Sequence, residues 1–112
     1  MKTDPRADHD LASLRYWAAT LRLTADRWDD PGLDPSERES LRPEWGNVVG
    51  RVKKLEALAK AGALRPAALV ELRGIAEELT ELLPTMQRLR LRVPDLDALA
   101  RAAGRPAAPQ PS

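Results

Sequence analysis

Three carboxylates crowd the stretch EELTE: Glu77, Glu78 and Glu81. On a helix, Glu77 and Glu81 share a face at i, i+4, and Glu78 stands beside them. That spacing allows carboxylate oxygens to share one divalent cation. His9 is the single histidine. It has no Glu-x-x-His partner for a di-iron bundle and no frame to hold it as a catalytic base. There is no Cys, which excludes a disulfide framework and a thiolate zinc site. The stretch GNVVG (46–50) falls inside a helical pattern and lacks the spacing of a phosphate-binding loop. No catalytic residues and no cofactor are expected, and Glu77, Glu78 and Glu81 stand as the sole enzyme-like signal.

That E-E-x-x-E pattern resembles the acidic motif of MazG-type nucleotide pyrophosphohydrolases, which are small all-α enzymes. The resemblance implies a Mg²⁺-dependent hydrolase with Glu77, Glu78 and Glu81 as metal ligands. The family carries a second motif, E-x-x-D, on the following helix. Nothing after Glu81 matches it, since DLD at 95–97 has a different spacing and no Glu. The likeness covers five residues and assigns no family; a solvated helix face accounts for the same glutamates.

Charged residues make up 31% of the 112, yet the net charge is +1. Such balance argues against a general nucleic-acid or membrane binder, which is usually strongly basic. No apolar run reaches a membrane span, and the N-terminus lacks a signal-peptide core. A soluble, cytoplasmic protein is expected.

Ala, Leu, Arg and Glu dominate between turn signals, which favours helix throughout. Leu11, Leu14, Ala18, Leu21, Ala25 and Trp28 form one seam behind a cap at Asp8 or Asp10. DPSE (34–37) starts a second helix, with Asp34 as cap, Pro35 in the first turn and Glu37 closing a capping box. Its seam runs Leu41, Trp45, Val48, Val52, Leu55, Ala59, and Gly62 suits the C′ position. Pro66 opens a third, with Leu72, Ile75, Leu79, Leu82, Met86, Leu89 and Val93. A short fourth helix carries Leu96, Leu99 and Ala100. The expected fold is all-α: an antiparallel three-helix bundle with a short C-terminal fourth helix and proline kinks near 43 and 84. Residues 1–7 are expected to be a flexible N-terminus, 8–104 the bundle domain, and 105–112 a disordered Pro/Ala tail.

The stretch RLRLR (88–92) reads as the last turn of the third helix, its arginines favoured by the helix dipole. Folding the bundle brings Arg88, Arg90 and Arg92 towards Asp29, Asp30, Asp34 and Glu37. It also brings Lys53, Lys54 and Lys60 towards Asp4, Asp8 and Asp10. Leu91 points off the seam, either under the fourth helix or into an exposed contact. Helix one carries a second stripe, Ala12, Tyr16, Ala19 and Leu23, which either packs under another element or meets a partner. Gly46 and Gly50 suit close helix approach, within the chain or to a partner.

The leading expectation is a non-enzymatic protein–protein interaction or self-association module. Its interaction surface is Tyr16, Leu23, Gly46, Gly50 and Leu91; its partner is a second copy or another protein, with no membrane involved. The alternative is a small nucleic-acid-contacting subunit of a larger assembly, using Lys53, Lys54, Arg88 and Arg92. The hydrolase of Glu77, Glu78 and Glu81 comes third.

Overall fold

A computed structural model describes residues 5–104. Of the residues 1–7 expected to be flexible, 1–4 lie outside the described residues, as does the expected tail 105–112, whereas 5–7 are helical. The described chain is all-helical, in the order α1 (Pro5–Asp26), α2 (Pro35–Lys60), α3 (Pro66–Glu81), α4 (Leu83–Arg88) and α5 (Leu96–Gly104). No helix among the described residues is long and apolar enough to cross a membrane.

Two helix starts, those of α2 and α5, are capped by an aspartate side chain. α1 begins at Pro5, ahead of the expected caps, so Asp8 and Asp10 lie inside it and Ala7 is buried. At α2, the Asp34 side chain accepts from the Ser36 backbone N–H at 2.9 Å, and Pro35 needs no partner for the donor it lacks. The Ser36 backbone and side chain both favour the charged carboxylate, which lowers the Asp34 pKa. The expected capping box is not closed by the Glu37 side chain; Glu37 instead donates its backbone N–H to the Asp34 carbonyl at 3.0 Å. Asp95 caps α5 by accepting from the Ala98 N–H at 3.0 Å.

Two helix ends share one geometry. After α2, Gly62 has φ +71; its N–H reaches the Ala59 carbonyl at 3.1 Å, and the Ala63 N–H reaches the Leu58 carbonyl at 2.9 Å. After α4, Arg90 has φ 58; its N–H reaches the Gln87 carbonyl at 3.1 Å, and the Leu91 N–H reaches the Met86 carbonyl at 2.9 Å. Both are Schellman caps. The first uses the expected glycine. The second puts a bulky residue in a left-handed conformation that disfavours it by roughly 1–2 kcal/mol.

This second cap corrects the reading of RLRLR. The helix stops at Arg88, Leu89 is its cap, and the chain turns at Arg90 rather than at the Val93–Pro94 step. Leu91 is then carried inward and is buried, so it is not an exposed contact. Val93, expected on the seam, is 47% exposed. The third segment also divides earlier, at Leu82, with Pro84 in the first turn of α4. α2 keeps its helical span through Pro43.

The seams otherwise become the core. Leu11, Leu14, Ala18 and Leu21 of α1 meet Leu41, Trp45, Val48, Val52 and Leu55 of α2 and Leu72, Ile75 and Leu79 of α3 in one cluster. Asp10 of α1 faces Arg51 and Lys54 of α2, and Arg38 near the start of α2 lies over the Trp28 ring that follows α1. The two helices thus run in opposite senses. Asp8, Arg15 and Arg22 of α1 face Arg65, Glu71 and Glu78 of the α3 segment in ascending order, so these two run in the same sense.

α5 is placed more centrally than a C-terminal appendage. It packs against α3 and α2, its largest neighbours, while α1 packs against the same two helices. The 61–65 connection joins α2 to α3 in sequence, yet each packs more on α1 and α5 than on the other. Leu96, Leu99, Ala102 and Ala103 are the buried face of α5. Ala102 and Ala103 are small, which suits a helix fitted against two others. Ala100, expected on this face, is exposed.

Candidate functional site

The α1 stripe is uncovered. Ala12, Tyr16, Ala19 and Leu23 are all exposed, Tyr16 by 63% and Leu23 by 68%. They recur at helical spacing on the side away from Leu14, Ala18 and Leu21, so α1 has an apolar face on each side. The expectation that this stripe packs under another element of the fold does not hold for the described residues.

On the α3 side its bordering charges are paired. Arg15 donates to Glu71 at 2.9 Å, and Arg22 to Glu78 at 2.7 Å with Glu81 at 3.6 Å. On the other side Tyr16 meets Trp17 edge-on, with ring centroids 5.5 Å apart. Trp17 is half-buried and packs against the core. Tyr16, Trp17, Thr20 and Thr24 then form the α1 wall of a groove of about 360 Å³ whose α2 wall includes Glu37 and Glu44.

The other expected interaction residues fall elsewhere. Gly46 and Gly50 lie on α2 beside the seam rather than on it, and an added Cβ at either meets nothing within 4 Å. No close helix approach within the fold explains them, which corrects the packing expectation. Gly50 is exposed, and Gly46 lines a groove.

The four basic residues expected to meet nucleic acid do not form one surface. Lys54 is held by Asp10 at 2.8 Å near the start of α1, as anticipated for that end, and Lys53 is exposed next to it. Arg88 lies at the other end of α1, donating to the Ala25 carbonyl at 2.7 Å in a cleft that Asp26 and Asp29 also line. Its role there is to satisfy a carbonyl at the α1 C-terminus. Arg90 and Arg92 do not face the acidic loop as expected. They line a groove with Arg42, Pro43, Gly46 and Leu91.

The acidic run is largely engaged. Arg22 takes Glu78 and Glu81, leaving Glu77 exposed. Among the described residues no group of three His, Cys, Asp or Glu side chains is arranged to hold a metal ion. His9 is exposed on α1.

Arg42 escaped the sequence reading, and Arg90 was read as a helix-end residue turned towards the acidic loop. Spacing along one helix cannot reveal that residue 42 meets residues 90 and 92 across a turn. Among apolar residues, Val70 was also missed; it is 59% exposed on α3. No family model, no curated protein and no solved structure matches the chain.

Proposed function

We propose that this protein is a non-enzymatic helical interaction module that self-associates through the α1 face bearing Tyr16 and Leu23. Its frame in this reading is an antiparallel three-helix bundle of α1, α2 and α3–α4, bent at Pro43 and Pro84 and braced by α5. The setting is soluble and cytoplasmic.

One observation carries the reading: the large side chains of Tyr16 and Leu23 stand in solvent on a continuous apolar stripe, opposite the face of α1 that fills the core. A second copy is the occupant that fits best. Arg15 and Arg22 are already neutralised by α3 carboxylates, so along that border the stripe meets its own copy about a two-fold axis without opposing unpaired arginines. From Ala12 to Leu23 the stripe is about 16 Å long, short for an interface of about 800 Å² per partner. The dimer is therefore concentration-dependent.

Sedimentation velocity over a concentration series tests this. The wild type shifts from monomer to dimer, and Leu23→Arg stays monomeric with unchanged helical circular dichroism. A wild type that remains monomeric throughout overturns the proposal. The nucleic-acid reading has less support, because Lys53 and Lys54, Arg88, and Arg92 fall in three separate places. The hydrolase reading has less, because Arg22 engages two of its three carboxylates.

A further inference from the structure

We infer that Arg42, Arg90 and Arg92 form a binding site for a phosphate group carried by a small organic molecule. The groove they line has a volume of about 440 Å³. Three of its lining residues are arginines and none is acidic; Pro43, Gly46 and Leu91 supply the rest. None of the three guanidinium groups has an ion-pair partner among the described residues; Arg27, Arg38, Arg73, Arg88 and Arg101 also lack one, and what sets these three apart is that they line one groove. Guanidinium forks match phosphate oxygens two at a time, and three around one concavity suit a multiply charged oxyanion.

The backbone beneath them is held in place from two directions. The Schellman turn sets Arg90 and buries Leu91, and the Trp45 indole N–H holds the Arg92 carbonyl at 2.9 Å. With Leu91 turned inward, its two flanking arginines are left exposed at the groove. Arg90 is also the one non-glycine residue of positive φ among those described. A position that favours glycine is occupied by a residue whose side chain serves the groove, and strain of this kind gathers at functional sites.

Size and layout define the ligand class. The groove is larger than a bare phosphate requires and lies within the range of small-molecule pockets. Pro43 and Leu91 offer apolar surface beside the charge. A nucleic acid would need a basic track extending onwards; of the next basic residues along α2, Arg51 and Lys54 are committed to Asp10, which leaves Lys53 alone exposed and without an ion pair among the described residues.

Calorimetric titration at constant ionic strength, with phenyl phosphate, inorganic phosphate and a single-stranded oligonucleotide as probes, tests the site. Phenyl phosphate binds saturably and more tightly than inorganic phosphate. Arg42→Gln and Arg92→Gln each weaken it about tenfold, as loss of a charge-assisted hydrogen bond does. Arg101→Gln on α5 leaves it unchanged, and thermal unfolding confirms that each variant folds. Arg90→Gly separates function from structure: it raises the melting temperature of the free protein while weakening phenyl phosphate binding. No saturable binding, or binding indifferent to Arg42→Gln and Arg92→Gln, overturns the site. Equal affinity for inorganic phosphate overturns the organic ligand, and tighter oligonucleotide binding through the same arginines overturns the small-molecule class. Arg90→Gly that stabilises without weakening binding removes Arg90 from the site.

Discussion

The indole Nε1–H of Trp45 donates to the carbonyl of Arg92 at 2.9 Å across a sequence separation of 47 residues. Trp45 is fully buried, and a buried indole donor without a partner is costly. The bond therefore satisfies the core and holds the segment between α4 and α5 against α2. Trp45→Phe keeps most of the apolar volume but removes the donor. A loss of about 1–2 kcal/mol in urea unfolding is expected, and an unchanged midpoint would show that the bond contributes nothing net.

Leu99 tests whether α5 belongs to the core. It is fully buried where α5 meets α2 and α3. Leu99→Ala should destabilise the protein by about 2–5 kcal/mol, the range for large-to-small changes in well-packed interiors. A loss of a few tenths would instead describe a helix resting loosely on the surface.

Asp34 gives a pH dependence whose sign follows from its cap. The carboxyl pKa is lowered in the folded state by the hydrogen bonds from Ser36. Its stabilising effect is thus complete above the ordinary carboxylate pKa and disappears as pH falls through the lower folded value. Asp34→Asn keeps a capping acceptor but does not titrate. Melting temperature compared between the two proteins from neutral pH down to strongly acid should show the wild-type advantage shrinking with acid. A difference that stays constant would rule out the charge as its source.

The pairs along α1 and α3 are exposed and should behave accordingly. Arg22 and Glu78 retain 45% and 28% side-chain exposure at 2.7 Å. Arg22→Met should cost about 0.2–1 kcal/mol and less in high salt, where exposed pairs are screened. A larger, salt-independent loss would mean that the methylene stem of Arg22, not its charge, matters most.

Legibility in the sequence followed the kind of information each feature requires. The seams were readable because burial on a helix repeats with the helix: Leu11, Leu14, Leu72, Ile75 and Met86 are all fully or nearly fully buried. Gly62 was readable because glycine is cheap at positive φ. Arg90 hid an identical cap, since nothing in its type signals a left-handed turn. From that one turn came the misplacement of Leu91 and Val93. The setting of α5 between α2 and α3 was hidden for another reason: nine residues declare an apolar face but not which neighbours it meets. On the surface, the stripe of Tyr16 and Leu23 was visible, and its exposure was not. Arg42 became visible as a groove residue only in three dimensions.

The position of α5 also bears on the order in which the molecule assembles. The walls it covers belong to α2 and α3, which are complete before Leu96 is reached in the chain. Those walls stay open until α5 is available to cover them, and its principal partner α3 lies near it in sequence, so the loop to be closed is short. The last nine described residues thus complete a core that the preceding helices leave open on one side.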